Sequence, residues 1–378
     1  MRWPPVIASR RRAGLRRPNC PTLRILDKYL LIGHYSLKKG GSVRPVETLA
    51  VIGGAGYKGC VLVPKLLAKG YRVVVYDIML YGSEGLPSDP RLQVIEGDIR
   101  DIDHYASTVK GQDAVINLAC ISNDPSFALD PTISRSINFD CFEPMVKATV
   151  DAGVSRYVYA STSSVYGVSD APDVTEEHPL VPLTDYNRYK GLTEPLLLKY
   201  QSSTFTPVII RPATVCGYSP RTRLDLTVNI LTNHAVNKRK ITVFGGAQKR
   251  PNIHIEDITD LYVELLERPV EQISGEIFNA GYENFSVAEL AQQVKGVVEE
   301  EFPEFAPIPV ETTPSDDLRS YHVSSKKILE HLGWAPSRST EDAVRDLCRA
   351  FRDGLLPDSL DDDRYFNVRT VKHLSLKQ

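Results

Sequence analysis

The sequence predicts an α/β fold in which a parallel sheet is wound with helices on both of its faces. Short apolar strands alternate with helical segments from Glu47 onward, as in successive strand–helix–strand units with right-handed crossovers. The segment 113–118 has the apolar centre that is typical of a strand buried on both faces. The first strand, Thr48–Ile52, runs directly into a glycine-rich turn and a helix. At 378 residues, of which 42% are apolar, the chain has room for one large domain or two ordinary ones.

The glycine-rich turn has the spacing of a dinucleotide-binding fingerprint. Three glycines recur at intervals of three residues between the first strand and a helix predicted over 57–68. Such a turn brings the backbone close to a pyrophosphate and directs the N-terminus of a helix at its charge. The predicted cofactor-binding residues of this turn are Gly53, Gly56, Tyr57, Lys58 and Gly59.

An acidic residue ends the second strand, which is predicted over 71–76. This residue, Asp77, stands where a carboxylate accepts the two hydroxyls of the adenosine ribose. A negative charge at this position repels a 2′-phosphate. The sequence therefore predicts NAD, rather than NADP, as the cofactor.

The loop after strand 113–118 is rich in small and polar residues, among them Ser122 and Asp124. It leaves the carboxyl end of a parallel strand, which is the edge where open α/β sheets bind their ligands. A long helix over 131–152 and a fifth strand over 156–161 follow it.

A hydroxyl cluster and a tyrosine–lysine pair come next. Three hydroxyl residues beginning at Thr162 follow the fifth strand, and Tyr186 and Lys190 stand four residues apart in a helix predicted over 186–201. At that spacing both side chains leave the same helical face. Because a neighbouring cation favours the phenolate, Lys190 can bring Tyr186 into the range of a base, and a hydroxyl held nearby can relay a proton. A tyrosine–lysine pair at this spacing is most often a solvated pair on a helix surface. The glycine turn and Asp77 are the features that favour a catalytic role for Tyr186 and Lys190.

Composition limits the classes of function. The formal net charge of −2 combines a basic stretch, residues 1–45, with an acidic remainder that offers no basic, aromatic-interleaved groove for nucleic acid. No apolar run approaches the roughly 20 residues of a membrane span. The six cysteines show no metal-ligand spacing. We expect a cytoplasmic enzyme without a metal, a nucleic-acid partner or a membrane span. The basic N-terminal extension is expected to lie outside the fold, as a disordered tail, an overlong start or a transit peptide.

Together the motifs resemble the extended short-chain dehydrogenase/reductases of the NAD-dependent nucleotide-sugar epimerase/dehydratase family. The resemblance covers approximately residues 47–350. It implies a doubly wound (Rossmann) parallel sheet over 46–212 that carries NAD and the catalytic residues, and a smaller mixed α/β lobe over 213–378 that binds a nucleotide-diphosphate sugar. Besides the glycine turn and Asp77, it rests on Gly97-Asp98-Ile99, Asn117-Leu118-Ala119, the Thr162 cluster, Tyr186-x-x-x-Lys190 and Arg250-Pro251-Asn252-Ile253-His254-Ile255-Glu256-Asp257.

The resemblance also implies roles for single residues. Tyr186 is the expected base, Lys190 lowers its pKa and holds the nicotinamide ribose, and Thr162 is the third catalytic residue. The further expected contacts with NAD are Asp98, Ile99, Leu118 and Ala119. The expected substrate contacts are Ser122, Asp124, Ser163, Thr214, Arg223 and Arg250. A homodimer that pairs helices 131–152 and 186–201 is the expected assembly.

Two positions beside Thr162 bear on the reaction. Dehydratases of the family carry Asp-Glu directly after the catalytic threonine, whereas this chain has Ser163 and Ser164, so 4,6-dehydration is disfavoured. A 4-epimerase resembling UDP-glucose 4-epimerase, which acts through a transient 4-keto sugar, is the first expectation. A nucleotide-sugar 4-dehydrogenase or 4-keto-reductase is an alternative, as is a non-catalytic NAD-binding sensor or scaffold. Thr214 and Lys58 depart from the epimerase pattern, which leaves the sugar and the nucleotide open.

Overall fold

The structure, a computed structural model, describes residues 45–169, 171, 173–314, 320 and 322–373, so the expectation for residues 1–45 lies almost wholly outside it. The strands of the described residues are β1 (Thr48–Ile52), β2 (Arg72–Asp77), β3 (Leu92–Glu96), β4 (Ala114–Asn117), β5 (Arg156–Ala160), β6 (Thr206–Pro212), β7 (Thr214–Cys216), β8 (Ile241–Phe244), β9 (Lys249–His254), β10 (Ile277–Ala280), β11 (Glu283–Ser286) and β12 (Val310–Thr313). The helices are α1 (Gly59–Ala68), α2 (Ile102–Val109), α3 (Asp124–Phe127), α4 (Pro131–Arg135), α5 (Phe142–Asp151), α6 (Asp185–Leu198), α7 (Thr227–Lys238), α8 (Ile255–Glu267), α9 (Val270–Ile273), α10 (Val287–Glu301), α11 (Lys326–Leu332), α12 (Thr340–Arg352) and α13 (Asn367–His373).

The predicted parallel sheet is confirmed. Within the described residues it has seven strands in the order β10-β6-β5-β4-β1-β2-β3, and every neighbouring pair is parallel. Strands β4, β5 and β6 are buried along their whole length, because helices cover both faces of the sheet. Helices α1 and α8 pack on one face, and α2, α5 and α6 pack on the other.

The chain changes direction across the sheet between β1 and β4. Strand β1 pairs with both β2 and β4, while the helices that follow β1 and β4 lie on opposite faces. A crevice opens at the carboxyl ends of strands at such a switch point. The glycine turn, Asp77, the loop of Ser122 and the Thr162 cluster all follow these strand ends.

Residues beyond 212 build a smaller lobe and also return to the large sheet. The lobe contains a three-stranded sheet, β11-β9-β7, and a two-stranded sheet, β12-β8, around a core shared with α7, α10 and α12. Helix α8, however, packs with α1, and β10 is an edge strand of the large sheet. The described residues after 212 therefore contribute both to the smaller lobe and to the large sheet with its covering helices. No helix in the described part of the chain has the length and apolarity needed to cross a membrane.

Two helices differ from the prediction, one in its continuity and the other in the residue at which it begins. The helix predicted over 131–152 consists of α4, a π turn at Ser136–Asp140 and α5. In this π turn the Asn138 amide donates to the carbonyl oxygen of Ile121 at 2.9 Å and accepts from its N–H at 2.8 Å. The irregular turn thus fixes the loop that follows β4. Helix α1 begins at Gly59, later than predicted, because the glycine turn extends further.

A buried ion pair fastens α6 to the sheet. Arg211 in β6 and Glu194 in α6 have side chains that are 4% and 2% exposed, and two guanidinium nitrogens donate to the two carboxylate oxygens at 3.0 and 2.6 Å. The Ser161 hydroxyl donates to Glu194 at 2.6 Å, and Arg211 also donates to the Tyr166 hydroxyl at 2.7 Å. One carboxylate therefore joins α6 to the ends of β5 and β6, one turn from Lys190.

We expect Glu194→Gln to lower the free energy of unfolding by about 3 kcal/mol, because it leaves the buried Arg211 cation without a counter-ion. Urea denaturation followed by circular dichroism measures the loss. Asp151→Asn is the matched control, since it breaks the exposed pair between Lys147 and Asp151 and should change stability by no more than about 0.5 kcal/mol. Equal effects of the two substitutions would contradict the importance of the buried pair.

Candidate active site

A cavity of about 440 Å³ lies at the carboxyl ends of the central strands. Every residue that the sequence predicted to contact cofactor or substrate lines it. The cavity therefore joins two groups of motifs that are distant in sequence, the glycine turn with Asp77 and the Thr162, Tyr186 and Lys190 set. The chemistry that each of these residues can perform depends on its hydrogen bonds, burial and neighbouring charges.

The glycine turn is shaped for the close approach of a ligand. A Cβ on Gly59 would lie 2.1 Å from the carbonyl oxygen of Gly54, so a side chain here would separate α1 from the turn. A Cβ on Gly56 would meet the Gly53 carbonyl oxygen at 3.3 Å and nothing else described within 4 Å, and Gly56 lines the cavity. The open side of Gly56 leaves room for a pyrophosphate beside the first turn of α1.

Asp77 is held in place at the end of β2. Its two carboxylate oxygens accept from the N–H groups of Ala55 and Met79, each at 3.0 Å. Burial raises the pKa of Asp77, and the opposing effects of these hydrogen bonds and of Arg221 do not cancel the rise. The carboxylate lies on the cavity wall beside the glycine turn, so the residues present fit NAD with an unphosphorylated adenosine ribose.

Asp98 and Ile99 form part of the same wall. Burial raises the pKa of Asp98, but the Arg100 guanidinium, 2.6 Å away, outweighs this effect and holds the pKa below its usual value. The Asp98 carboxylate therefore already has a counter-ion in the protein. Leu118 and Ala119 line the cavity at the end of β4, where the backbone runs against the glycine turn.

The hydroxyl cluster is connected to α6 through an amide. The Thr162 hydroxyl lies 2.9 Å from the hydroxyl of Ser164, which donates to Oδ1 of Asn187 at 2.5 Å. Ser163, predicted to contact substrate, lines the cavity but is only 1% exposed. The sequence does not single out Asn187, although its place directly after the predicted base is a signal that it belongs to the site.

Lys190 points toward the end of β5. Its ammonium donates to the carbonyl oxygen of Ala160 at 2.8 Å and lies 4.8 Å from the centre of the Tyr159 ring. Burial lowers the pKa of Lys190, but neighbouring Cys120, Tyr159 and Glu194 raise it, and the net result is above the usual value. Lys190 therefore stays a cation at neutral pH.

The environment of Tyr186 differs from the expected one. Burial raises the pKa of Tyr186 well above its usual value, Cys120 and Asp124 raise it further, and the guanidinium of Arg223 lowers it. The ammonium of Lys190 is directed instead at Ala160, because the inward face of α6 meets the end of β5. In this state Tyr186 is a neutral phenol, and Arg223 is a cation that favours its ionisation.

Asp124 is placed beside this phenol by α3. The Thr184 hydroxyl, next to the start of α6, donates to the Asp124 carboxylate. The Phe127 ring, at the other end of α3, lies 6.4 Å from the Tyr186 ring between centroids. The predicted loop thus contains a short helix that holds a carboxylate near the predicted base.

The predicted substrate side contains two arginines. Arg223 pairs with Asp225 at 3.0 Å and donates to the Ser122 hydroxyl at 3.2 Å. Thr214, at the start of β7, and Arg250, in β9, line the cavity as well. Guanidinium groups on a cavity wall are suited to phosphate oxygens, although Arg223 must share its charge with Asp225.

Lys58 brings a further cation into the cavity from the glycine turn. Its ammonium donates to the Tyr262 hydroxyl at 3.4 Å and forms no ion pair with any described carboxylate. Burial lowers the pKa of Lys58 to about 8, and the cations Lys190 and Arg223 act in the same direction, while Cys120 opposes them. A ligand anion would therefore meet an ammonium that no described carboxylate neutralises.

Tyr57 connects the glycine turn to the smaller lobe. Its phenol donates to the carbonyl oxygen of Gly217 at 2.6 Å and accepts from the Asn229 amide at 3.1 Å. The Tyr57 carbonyl oxygen accepts from the Ser219 hydroxyl at 2.8 Å. The segment after β7 is thus fastened across the turn that is predicted to hold the pyrophosphate.

Tyr81, Arg221 and Asn367 also line the cavity, and the sequence does not single them out. Arg221 is one of several cations that follow β7 in the sequence, and no motif sets it apart from the others. Asn367 is 146 residues further along the chain than Arg221 and belongs to no motif. Only the folded chain brings these residues together.

Comparisons with known proteins agree with this arrangement. A sequence profile described as "NAD dependent epimerase/dehydratase family" matches residues 49–281, more than half of the chain. A UDP-glucose 4-epimerase of Lactobacillus helveticus is 28% identical over 322 residues, which cover 78% of this chain and 93% of the relative. Among solved structures, UDP-glucose 4-epimerase of Thermotoga maritima with UDP-glucose has a TM-score of 0.73 at 24% identity, covering 82% of this chain and 99% of the other. A dTDP-glucose 4,6-dehydratase of Streptomyces venezuelae with NAD bound has a TM-score of 0.71 at 25% identity, covering 81% and 97%.

We expect Lys58→Met to stabilise the NAD-free protein by about 2 kcal/mol near neutral pH, because it removes a partly buried charge that is poorly solvated. The ordinary lysine pKa of 10.5 falls to about 8 in the fold, so the unfolded chain binds more protons than the folded chain between these values. Wild-type stability from this group therefore rises with pH, and the advantage of the variant should shrink toward pH ~10.

Urea denaturation of the NAD-free wild type and variant at neutral and alkaline pH measures this difference. Lys372→Met, on an exposed position of α13, is the control and should show no such pH dependence. A gain that is the same at both pH values would show that lost charge is not its cause.

Proposed function

The chain belongs to the NAD-dependent epimerase/dehydratase family, and from this premise we propose that it is a nucleotide-sugar 4-epimerase. The observation that carries the proposal is the composition of one cavity. It joins a glycine turn and Asp77, which fit NAD, to Thr162, Tyr186 and Lys190. The family assignment and the epimerase relative support an enzyme that acts on nucleotide sugars.

The residues after Thr162 support a reaction without loss of water. Ser163 is buried, and the hydroxyl of Ser164 is engaged with Thr162 and Asn187. Neither residue can act as the carboxylate that elimination of water from a 4-keto sugar requires. The reaction then consists of oxidation at C4 and reduction of the resulting ketone from its other face.

The side chains have distinct tasks in this reaction. Tyr186 accepts the proton of the C4 hydroxyl and later returns a proton to the same oxygen, and the Thr162 hydroxyl, held by Ser164, relays it. Arg223 favours the phenolate form that Tyr186 needs, whereas burial opposes it. Bound NAD supplies the hydride acceptor and donor for the sugar carbon.

Arg223 and Arg250 are the proposed partners of the substrate diphosphate, and Ser122, Asp124 and Thr214 the proposed contacts of its sugar. The UDP-glucose 4-epimerase relative favours a UDP-sugar. A cytoplasmic location and a homodimer stay predictions.

An alternative is a 4-dehydrogenase or 4-keto-reductase, which Asp124 favours as an additional acid or base beside Tyr186. A panel of UDP-, GDP-, dTDP- and CDP-sugars, incubated with the protein and followed by NMR, separates the candidates. A C4 epimer supports the proposal, whereas a released keto sugar with NADH supports the alternative. No conversion of any sugar would favour a protein that only binds NAD.

We expect Tyr186→Phe to retain bound NAD and to lose turnover by about two to four orders of magnitude, because the variant lacks the group that moves the proton. Initial rates and the NAD content of the purified protein measure the two effects. Tyr189→Phe, one turn along α6, removes a hydroxyl whose partner is Arg188 and should retain normal turnover. Wild-type turnover by Tyr186→Phe would exclude Tyr186 as the base.

We expect Asp77→Ala to weaken NAD by about tenfold or more and NADP much less, because it removes the ribose acceptor and the charge that repels a 2′-phosphate. Isothermal titration with both dinucleotides measures the two affinities. Since the substitution also frees the Ala55 N–H, a loss common to both ligands would report on the turn alone. Equal losses would remove Asp77 from the ribose site.

A further inference from the structure

The C-terminal segment, residues 354–373, returns to the cavity after α12 has completed the smaller lobe. The Leu224 N–H donates to the carbonyl oxygen of Tyr365 at 2.9 Å, and the Asn233 amide donates to the carbonyl oxygen of Ser359 at 2.9 Å. These contacts bring the start of α13, Asn367, to the cavity wall, where it is 4% exposed.

Asn367 joins three walls of the cavity through three hydrogen bonds. Its Oδ1 accepts from Nη2 of Arg221 at 2.6 Å, and its Nδ2 donates to the Ser122 hydroxyl at 2.8 Å. Its backbone N–H donates to the Asp225 carboxylate at 3.1 Å. One side chain thereby sets the orientation of the Arg221 guanidinium.

Arg221 is a buried cation that interacts at a distance with the carboxylates of Asp77 and Asp225 but is paired directly with neither. It is 8% exposed, lines the cavity and makes no ion pair with a carboxylate of the described residues. Its Nε is buried without a hydrogen-bond partner. Burial lowers the pKa of Arg221 to about 10. Nη2 is held by Asn367, and Nη1 has no hydrogen-bond partner among the described residues, so the guanidinium can still donate to an anionic ligand.

The location of Arg221 indicates which diphosphate it contacts, that of the dinucleotide cofactor or that of the nucleotide sugar. Its guanidinium lies 3.6 Å from the centre of the Tyr81 ring, which follows β2, and it lowers the pKa of Asp77 at the end of β2. Its own segment is fastened to Tyr57 in the glycine turn. Arg221 therefore bridges the two walls that fit the cofactor, whereas Arg223 and Arg250 face the predicted substrate side.

We propose that Arg221, held by Asn367 and stacked on Tyr81, binds the diphosphate of the dinucleotide cofactor, and that the C-terminal segment thereby retains the cofactor between turnovers. The inference rests on NAD as the cofactor and does not depend on the epimerase reaction. It gives the C-terminal segment a task in binding, and it assigns Asn367 as a positioning residue.

Arg221→Met tests the contact, because it keeps the length of the side chain and removes its charge. NADH fluorescence gives the dissociation rate, and displacement of NADH gives affinities for ADP-ribose, which contains the diphosphate, and for adenosine, which does not. We expect NADH to dissociate at least about tenfold faster and ADP-ribose to weaken by a similar factor, with adenosine unchanged.

Asn367→Ala tests the positioning role with Arg221 intact. We expect a smaller, several-fold acceleration of NADH release, and Arg221→Lys should resemble Arg221→Met more than wild type, because an ammonium lacks the planar fork and the ring stack. Lys372→Ala, on the exposed side of the same helix, should leave the rate unchanged. Thermal unfolding of the NAD-free variants checks that each is folded.

Binding of UDP to the NADH-loaded protein separates the two sources of diphosphate. Unchanged UDP affinity in Arg221→Met supports the proposal. Loss of UDP affinity with ADP-ribose affinity intact would assign Arg221 to the nucleotide sugar and overturn it. Equal weakening of ADP-ribose and adenosine would overturn it as well, because the contact would then not be to the diphosphate. None of these results depends on whether the enzyme epimerises any sugar.

Discussion

The buried pair between Arg211 and Glu194 is the interaction on which the geometry of the site depends. The Glu194 carboxylate accepts from Arg211 in β6 and from Ser161 directly before Thr162, so one group sets the distance between α6 and the ends of two strands. Tyr186 and Lys190 lie on that helix. Because a buried charge without its partner is far more costly than a shifted surface contact, the helix cannot slide along the sheet, and the phenol and the hydroxyl cluster keep one relative placement.

Much of the fold and the site could be predicted because the motifs are local. The glycine turn, Asp77 and Thr162 each follow a strand directly, and a parallel sheet brings the carboxyl ends of its strands to one edge whatever the loops contain. The direction of Lys190 could not be predicted, because helical spacing fixes the face of a side chain but not its partner. The π turn of Asn138 and the return of α8 and β10 to the sheet also depend on packing between distant segments, which one sequence does not reveal.

Asn367 shows the same limit at the cavity itself. Nothing in its neighbourhood in the chain marks it, and its three partners lie in segments more than a hundred residues away. Arg221 could not be predicted for a different reason. It is one of several neighbouring cations in the sequence, and nothing in the sequence indicates that it is buried. Burial makes this charge costly, because a guanidinium in water is solvated and needs no partner, whereas one buried beside Tyr81 does.

The unneutralised cations also bear on how the cofactor is kept. Lys58 and Arg221 enter the cavity without carboxylate partners among the described residues, so the empty protein bears a desolvation cost that a bound anion relieves. Ligand binding then stabilises the folded protein. Release of the ligand is opposed, because it leaves the cations desolvated and unpaired again. A 4-epimerase has to hold its reduced cofactor until the hydride returns to the same sugar, whereas a dehydrogenase has to exchange it. If Arg221 binds the cofactor as proposed, its attachment to Asn367 opposes exchange of the cofactor. The proposed epimerisation requires such retention, whereas net oxidation requires exchange.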